Sequence, residues 1–212
     1  MIARSAHAAD LTSGLDKPTT VVVFSDRRME PQLWGDILSL AQQELATDRP
    51  PAISGSAIIT VIRGDQMPLG IKVESSISVY LHGDCNLALR SSIALPHHIT
   101  GAVGWVERDH GRILPFVHID CSLIGDLLRS RPALLAALAD PTQRFQVMSY
   151  AIARVFLHEY LHIATQSDAH ARYGVTKSEF DVKDLLAGAP MTAANTEDND
   201  RPHAAAGRAM GR

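Results

Sequence analysis

The sequence predicts an α+β protein with a mixed β-sheet, and three observations lead to this class. Strand-like apolar runs and an amphipathic helical stretch share the first half of the chain. A hairpin pattern follows at 102–120, where two apolar runs flank the charged turn ERDHGR. A long helical pattern then begins near residue 141. The order strand, helix, two strands, hairpin and long helix is typical of an α+β fold with a mixed sheet.

The elements ahead of the hairpin are marked by composition and period. Residues 19–26 (TTVVVFSD) form a β-branched run that is typical of a buried strand. Residues 31–46 place their apolar side chains on one broad helical face. The runs 57–64 and 75–84 are strand-like, and a turn is expected between them at 67–70. Within the hairpin, Gly111 can supply the positive φ that a tight turn requires.

Two helical patterns follow the hairpin. The first covers 122–140 and is broken near Pro132, because proline cannot continue a helix. The second begins with Asp140 as the N-cap and Pro141 at the first helical position. Gln143 completes a capping-box pattern at this start. The apolar residues that follow have the period of a mostly buried helix.

We expect one domain over residues 19–187. Its last element is a short helix that starts at a second capping-box pattern, TKSE (176–179), and runs to Leu186. Residues 1–18 are small and polar and are predicted to be a disordered leader. Residues 188–212 have almost nothing to bury and are predicted to be a disordered tail.

Charge and hydropathy narrow the classes of partner. A formal net charge of -3 and an aromatic content of 5% argue against nucleic acid as a partner. No run of 18 or more apolar residues occurs, so no membrane span is expected. The oligomeric state stays open. As written, the chain is expected in the cytoplasm; if AHA (6–8) is the remnant of a signal-peptide cleavage site, it is instead periplasmic or secreted.

The two cysteines follow similar tripeptides, HGD before Cys85 and HID before Cys121. Both stand at the end of a strand-like run, so a disulfide is possible if those strands end side by side. The alternative is two buried thiols in a reducing compartment. The histidines of these tripeptides, His82 and His118, are expected to be hydrogen-bonded residues at strand ends rather than ligands of a metal.

A candidate metal site lies in HEYLH (158–162), inside the long helix. Residues four apart share one face of a helix, so His158 and His162 can present two nitrogens to one ion. Glu159 is offset from His158 by about 100°. It can therefore act as a general base toward metal-activated water, as in the HExxH zinc hydrolases. The alternative is a helix whose histidines have ordinary hydrogen-bond partners.

A catalytic zinc site needs a third protein ligand and an open fourth position. His170 is the first candidate, since the chain has just left the helix and can fold back; its alternative is an exposed loop residue. Asp168 is the second candidate, followed by the later carboxylates Glu179 and Asp184. A fourth protein ligand would instead close the site and make the zinc structural.

HEYLH after this order of elements resembles the zincin metallopeptidases. The resemblance covers the elements from about 20 to 187, with residue identity only in the motif. It implies Zn²⁺ as cofactor, a peptide or protein substrate, and a mixed sheet whose edge strand pairs with that substrate. The hairpin strand around Trp105 and Val106 would then receive the substrate. Tyr173 would donate a hydrogen bond to the developing oxyanion, with a packing tyrosine as the alternative.

Two patterns within that superfamily bear on the third ligand. The metzincin pattern HExxHxxGxxH/D puts its last position on Asp168, but Thr165 stands where those families have glycine. The stretch HEYLHIATQSDAHARYG is more similar to uncharacterised bacterial HExxH proteins with a later histidine and a glycine, which implies His170 as ligand. The resemblance therefore predicts a zinc-dependent peptidase. A non-catalytic protein stabilised by zinc, or an interaction domain without metal, is the alternative.

Overall fold

The computed structural model describes residues 19–47, 59–68, 70, 75–87, 101–131, 134, 137–170, 180–187 and 189. The strands are β1 (Thr19–Ser25), β2 (Ile59–Arg63), β3 (Ser75–His82), β4 (Gly104–Asp109) and β5 (Arg112–Asp120). The helices are α1 (Pro31–Thr47), α2 (Cys121–Arg129), α3 (Pro141–Thr165) and α4 (Val182–Leu185), with single 3-10 turns at Gly64–Gln66 and Ala137–Ala139. The predicted leader and, except for Ala189, the predicted tail lie outside the described residues.

The five strands form one mixed sheet in the order β2-β1-β3-β5-β4. The four strands β2, β1, β3 and β5 are parallel, and β4 pairs with β5 in the antiparallel direction. The mixed sheet that the sequence predicts is therefore confirmed. None of the helices among the described residues combines the length and hydropathy that crossing a membrane requires.

The β4–β5 hairpin closes through His110 and Gly111, whose φ angles are 47° and 78°. Positive φ at both central residues is the geometry of a type I′ turn, which matches the twist of the two strands. The predicted role of Gly111 is confirmed. The tight turn pairs β4 with β5, and β4 is the last strand in the strand order.

One face of the sheet packs against the helices. On β3, Ile77, Val79 and Leu81 are buried while the alternating Tyr80 and His82 remain partly exposed. This period of two places every second side chain in the core. Helix α1 packs against α3 and β2, and α3 also contacts β4 and β5. The core therefore lies between the sheet and these helices, and α3 runs behind the β4–β5 hairpin.

Helix α3 is fixed at both ends by side-chain hydrogen bonds. The Asp140 carboxylate accepts from the Thr142 amide at 2.8 Å, so the predicted N-cap is confirmed, although its partner is not Gln143. At the other end Gln166 has a left-handed backbone with φ 49°. Its side-chain amide donates to the Ile113 carbonyl at 3.0 Å and accepts from the Ile113 N–H at 3.1 Å. The end of α3 is thereby tied to the start of β5.

A disulfide joins Cys85 and Cys121. Strands β3 and β5 are parallel neighbours, and His82 lies opposite Asp120 in their register. The strands therefore end side by side, which was the condition for a bridge. The structure decides between the two alternatives in favour of the disulfide.

The last helix is shorter than the sequence predicts. Residues 176–179 lie outside the described residues, and Phe180 and Asp181 are not helical. The helix begins at Val182, because the Asp181 carboxylate caps the Asp184 amide and the Asp184 carboxylate accepts from the Asp181 amide in return. The predicted continuous helix is therefore wrong at Phe180 and Asp181, whereas its predicted start at 176–179 lies outside the described residues. A second capping box of carboxylates, five residues further on, sets the start instead.

Candidate metal centre

Two predicted ligands meet on the buried face of α3. His158 and His162 are 5% and 8% exposed, and their Nε2 atoms are 3.0 Å apart. The two rings are nearly perpendicular, with centroids 4.6 Å apart. The predicted same-face arrangement of the two imidazoles is confirmed. Two nitrogens bound to one tetrahedral zinc at about 2.0–2.1 Å lie about 3.4 Å apart, close to the spacing seen here.

The backbone just beyond α3 orients one of these rings. The Nδ1 atom of His162 lies 2.6 Å from the carbonyl oxygen of Ser167. A carbonyl can only accept, so the proton is on Nδ1 and the neutral ring keeps its lone pair on Nε2. A carbonyl that holds a histidine in this tautomer is a common outer-shell partner of a metal ligand. The atom that faces His158 is therefore the one able to bind an ion.

His170 completes a group of three. Its ring stacks on that of His158 at 5.2 Å and is nearly perpendicular to that of His162 at 4.8 Å. One nitrogen from each histidine lies within 4.8 Å of the other two, and His170 is the exposed member. Three neutral imidazoles suit zinc and other first-row transition metals. The residues present therefore fit such an ion.

Asp168 takes a different position. It is exposed, and both of its carboxylate oxygens contact the Arg108 guanidinium, one of them at 2.6 Å. The hydrogen bond from Arg108 is the main reason that the pKa of Asp168 is lowered. Asp168 is not a member of the three-residue group. Through this ion pair, Asp168 instead links strand β4 to the segment that leads to His170.

Of the two later carboxylates, the structure describes Asp184, which is not a member of the group. The Asp184 carboxylate accepts the Asp181 amide in the capping box of α4. Glu179 lies outside the described residues, as does Tyr173, so the oxyanion role of Tyr173 stays a prediction.

Glu159 lies beside the histidines as a buried carboxylate. It is 5% exposed, and its Oε1 atom is 3.9 Å from the Nε2 atom of His158. Burial raises the pKa of Glu159 to about 7, and the nearby Arg108 opposes this rise. The carboxylate is thus close to His158 without belonging to the three-histidine group.

Gly104 lets strand β4 approach this carboxylate. A Cβ atom at Gly104 would lie 2.4 Å from Val155 Cγ1 and 3.0 Å from Glu159 Oε1. Only a residue without a side chain fits between the strand and α3. The edge strand and the buried carboxylate are therefore neighbours.

Several residues of the site did not stand out in the sequence. Phe180 packs its ring edge-on to His158, with centroids 5.1 Å apart, and forms one wall. The other residues of this kind are those whose contacts are described above, namely Arg108, Gly104 and Ser167. The glycine of GWV was the only available signal among them, since an isolated glycine in a strand pattern indicates a close approach of another group.

The fold and the site define a mixed α/β protein with a five-stranded sheet and a three-histidine candidate metal centre, formed by two residues of α3 and one from the segment after it. Comparisons with protein-family models, with curated proteins and with solved structures found no match to this chain.

Proposed function

We propose that this chain is a zinc-dependent peptidase in which His158, His162 and His170 hold the ion and Glu159 is the general base. The observation that carries the proposal is the convergence of three imidazoles beside a buried carboxylate that is not itself a member of the group. When bound, zinc would act as a Lewis acid toward a carbonyl and toward water.

Glu159 has the position that a general base needs. Its Oε1 atom, 3.9 Å from the His158 nitrogen, can accept a proton from the attacking water and return it to the leaving amine. The side chain is enclosed by α3 and β4, which keeps bulk water from competing for the proton. The residue thus holds a proton at the reacting centre without occupying a ligand position.

Strand β4 is the surface that we assign to the substrate. It ends the strand order, so its outer edge has no partner strand among the residues that the structure describes. An extended peptide can add to such an edge through main-chain hydrogen bonds. Because Gly104 lies against Glu159, a peptide on β4 would pass close to the proposed base.

A closed structural zinc site is the competing function. It would need a fourth protein donor. Among the described residues the group contains three histidines, which leaves a coordination position for water or substrate. This count supports a catalytic site over a structural one.

Replacement of Glu159 tests the proposal. We expect Glu159→Gln to keep one zinc ion per chain and to lose peptidase activity by roughly 10²–10⁴-fold, since the amide cannot take the proton. Zinc is measured by elemental analysis and activity by cleavage of a disordered protein substrate. Glu30→Gln, at an exposed glutamate before α1, is the matched control and should change neither.

Two results would refute the assignment. Turnover that is the same in Glu159→Gln as in the unsubstituted protein would remove the proposed base. Purified protein that contains no stoichiometric zinc and gains no thermal stability from added zinc would remove the metal.

A further inference from the structure

A row of four aromatic rings crosses the sheet face that is turned away from the helices. Phe24 on β1 lies opposite Tyr80 on β3, Tyr80 opposite His118 on β5, and His118 opposite Trp105 on β4. The successive ring centroids are 5.3, 5.2 and 5.1 Å apart, and each pair is nearly parallel. These separations follow the spacing between neighbouring strands. The row therefore repeats with the sheet and ends at β4.

The indole of Trp105 uses one of its two faces within this row. That face lies against the imidazoles of His118 and His82, with centroids 5.1 and 5.7 Å away and planes within 9° of parallel. Both imidazoles belong to strands on the inner side of β4. The opposite indole face is therefore turned toward the outer edge of the sheet, and the side chain is 42% exposed.

We propose that the outer face of Trp105 is a specificity subsite for an aromatic side chain of the peptide that pairs with β4. This rests on the proposed function only in taking β4 as the strand that receives peptide. Cross-strand neighbours on one face of a sheet lie about 4.5–5.5 Å apart. A peptide ring opposite Trp105 would thus be the fifth in the row, at the separation that the first four already have.

The alternation of side chains along β4 gives the position of this residue in the substrate. Gly104 faces α3 and Glu159, whereas Trp105 faces the open side of the sheet. A peptide residue opposite Gly104 would point toward the proposed base. The aromatic residue is its neighbour in the peptide and points the other way, so the preference applies one residue from the position that faces Glu159.

The neighbouring charge disfavours acidic residues near this subsite. Glu107 lies on the same face of β4 as Trp105, and its half-exposed carboxylate contacts His118 Nε2 at 2.8 Å. A second carboxylate on the peptide would be repelled there. An aliphatic side chain would bury apolar area but gain no ring stacking.

Binding to a catalytically silent protein tests the subsite without depending on turnover. Zinc-loaded Glu159→Gln protein is titrated with fluorescent octapeptides in which a single phenylalanine, cyclohexylalanine or alanine is moved along a neutral, non-aromatic sequence. We expect phenylalanine to bind roughly tenfold more tightly than alanine at one position, and more tightly than cyclohexylalanine, which has the size but not the π-system.

Trp105→Leu in the same background should bring the phenylalanine and alanine peptides to equal affinity. Met67→Ala, which removes another exposed apolar side chain, is the control and should keep the difference. Circular dichroism verifies that both variants are folded.

The outcomes separate this inference from the proposed function. Equal affinities in the parent, a difference that persists in Trp105→Leu, or no binding at all would overturn the subsite. If the preference is found but the unsubstituted protein cleaves none of the peptides, the subsite stands and the peptidase proposal fails. If the peptides are cleaved without an aromatic preference, only the subsite fails.

Discussion

Two pairs of histidines in this molecule have nearly the same spacing and different surroundings. On α3 the Nε2 atoms of His158 and His162 are 3.0 Å apart, and on the sheet the Nε2 atom of His82 is 2.9 Å from the Nδ1 atom of His118. The helix pair is buried and has His170 as a third imidazole. The sheet pair is partly exposed and contacts the carboxylates of Asp26 and Glu107 instead.

The third imidazole, rather than the hydrogen bonds, distinguishes the helix pair as the candidate ligand set among the described residues. Glu107 accepts at 2.8 Å from His118 Nε2, so in the neutral ring His118 Nδ1 carries the lone pair and accepts from His82 Nε2. Each of these three contacting nitrogens is used in a linear chain of hydrogen bonds. On α3 the pattern is similar: the Ser167 carbonyl accepts from His162 Nδ1, and His162 Nε2 lies within hydrogen-bond distance of His158 Nε2. The difference is that His170 adds a third ring nitrogen to the helix pair. Proximity of two nitrogens is therefore insufficient, and a third donor distinguishes the helix pair.

The largest effect that tests this comparison is the loss of a ligand. We expect His162→Ala to weaken zinc binding by more than the 10–100-fold that is typical of losing an outer-shell partner, because a direct donor disappears. His118→Ala should leave zinc affinity unchanged, because His118 is not a member of the three-histidine group. Competition with a chromophoric chelator measures both. Equal losses in the two variants would mean that the sheet pair also binds metal.

An intermediate effect is expected where β4 meets α3. Gly104→Ala introduces a Cβ atom 2.4 Å from Val155 Cγ1 and should cost about 1–3 kcal/mol of unfolding free energy through overpacking. The control is Gly35→Ala in α1, where nothing lies within 4 Å of the new methyl group. Alanine there should stabilise the protein by about 0.5–1 kcal/mol, because it is a better helix former. Denaturant titration compares the two, and a neutral Gly104→Ala would show that β4 can move away from Glu159.

The smallest effect sharpens the assignment of the third ligand. Asp168→Asn removes the ion pair with Arg108 and should weaken zinc binding by no more than about fivefold, since solvent screens an exposed pair and makes it weak. Asp65→Asn breaks a similar two-point pair with Arg63 in the turn after β2 and should leave zinc affinity as it was. A loss in Asp168→Asn as large as in His162→Ala would identify Asp168 as the ligand in place of His170.

The sequence predicted what is encoded locally. The strand runs, the period of α3, its start at Asp140 and the turn at Gly111 each depend on a few consecutive residues, and the structure contains them. The helix pair His158 and His162 was accessible for the same reason, since four residues make about one helical turn. The short last helix shows the limit, because the sequence analysis singled out one capping pattern, whereas the helix over 182–185 begins at a later one.

Contacts between distant residues were not predictable. Arg108 and Asp168 are 60 residues apart, and Gly104 reaches Glu159 only because β4 is the edge strand that α3 crosses. The strand order brings these residues together, and the periodicity of the sequence carries no information about the strand order. The disulfide could not be predicted for the same reason. It forms because the parallel pairing of β3 and β5 places both cysteines at neighbouring strand ends.

The way in which α3 ends has a consequence for finding proteins of this kind. Gln166 adopts the left-handed conformation although it is not glycine, which costs roughly 1–2 kcal/mol. Its side chain offsets that cost by two hydrogen bonds, one with the N–H and one with the carbonyl of Ile113. The reversal of the chain is thus encoded by an amide and a partner 53 residues away. Search patterns that demand a glycine at a fixed offset after the second histidine would overlook such chains, whereas a screen for helices that end beside a strand start would retrieve them.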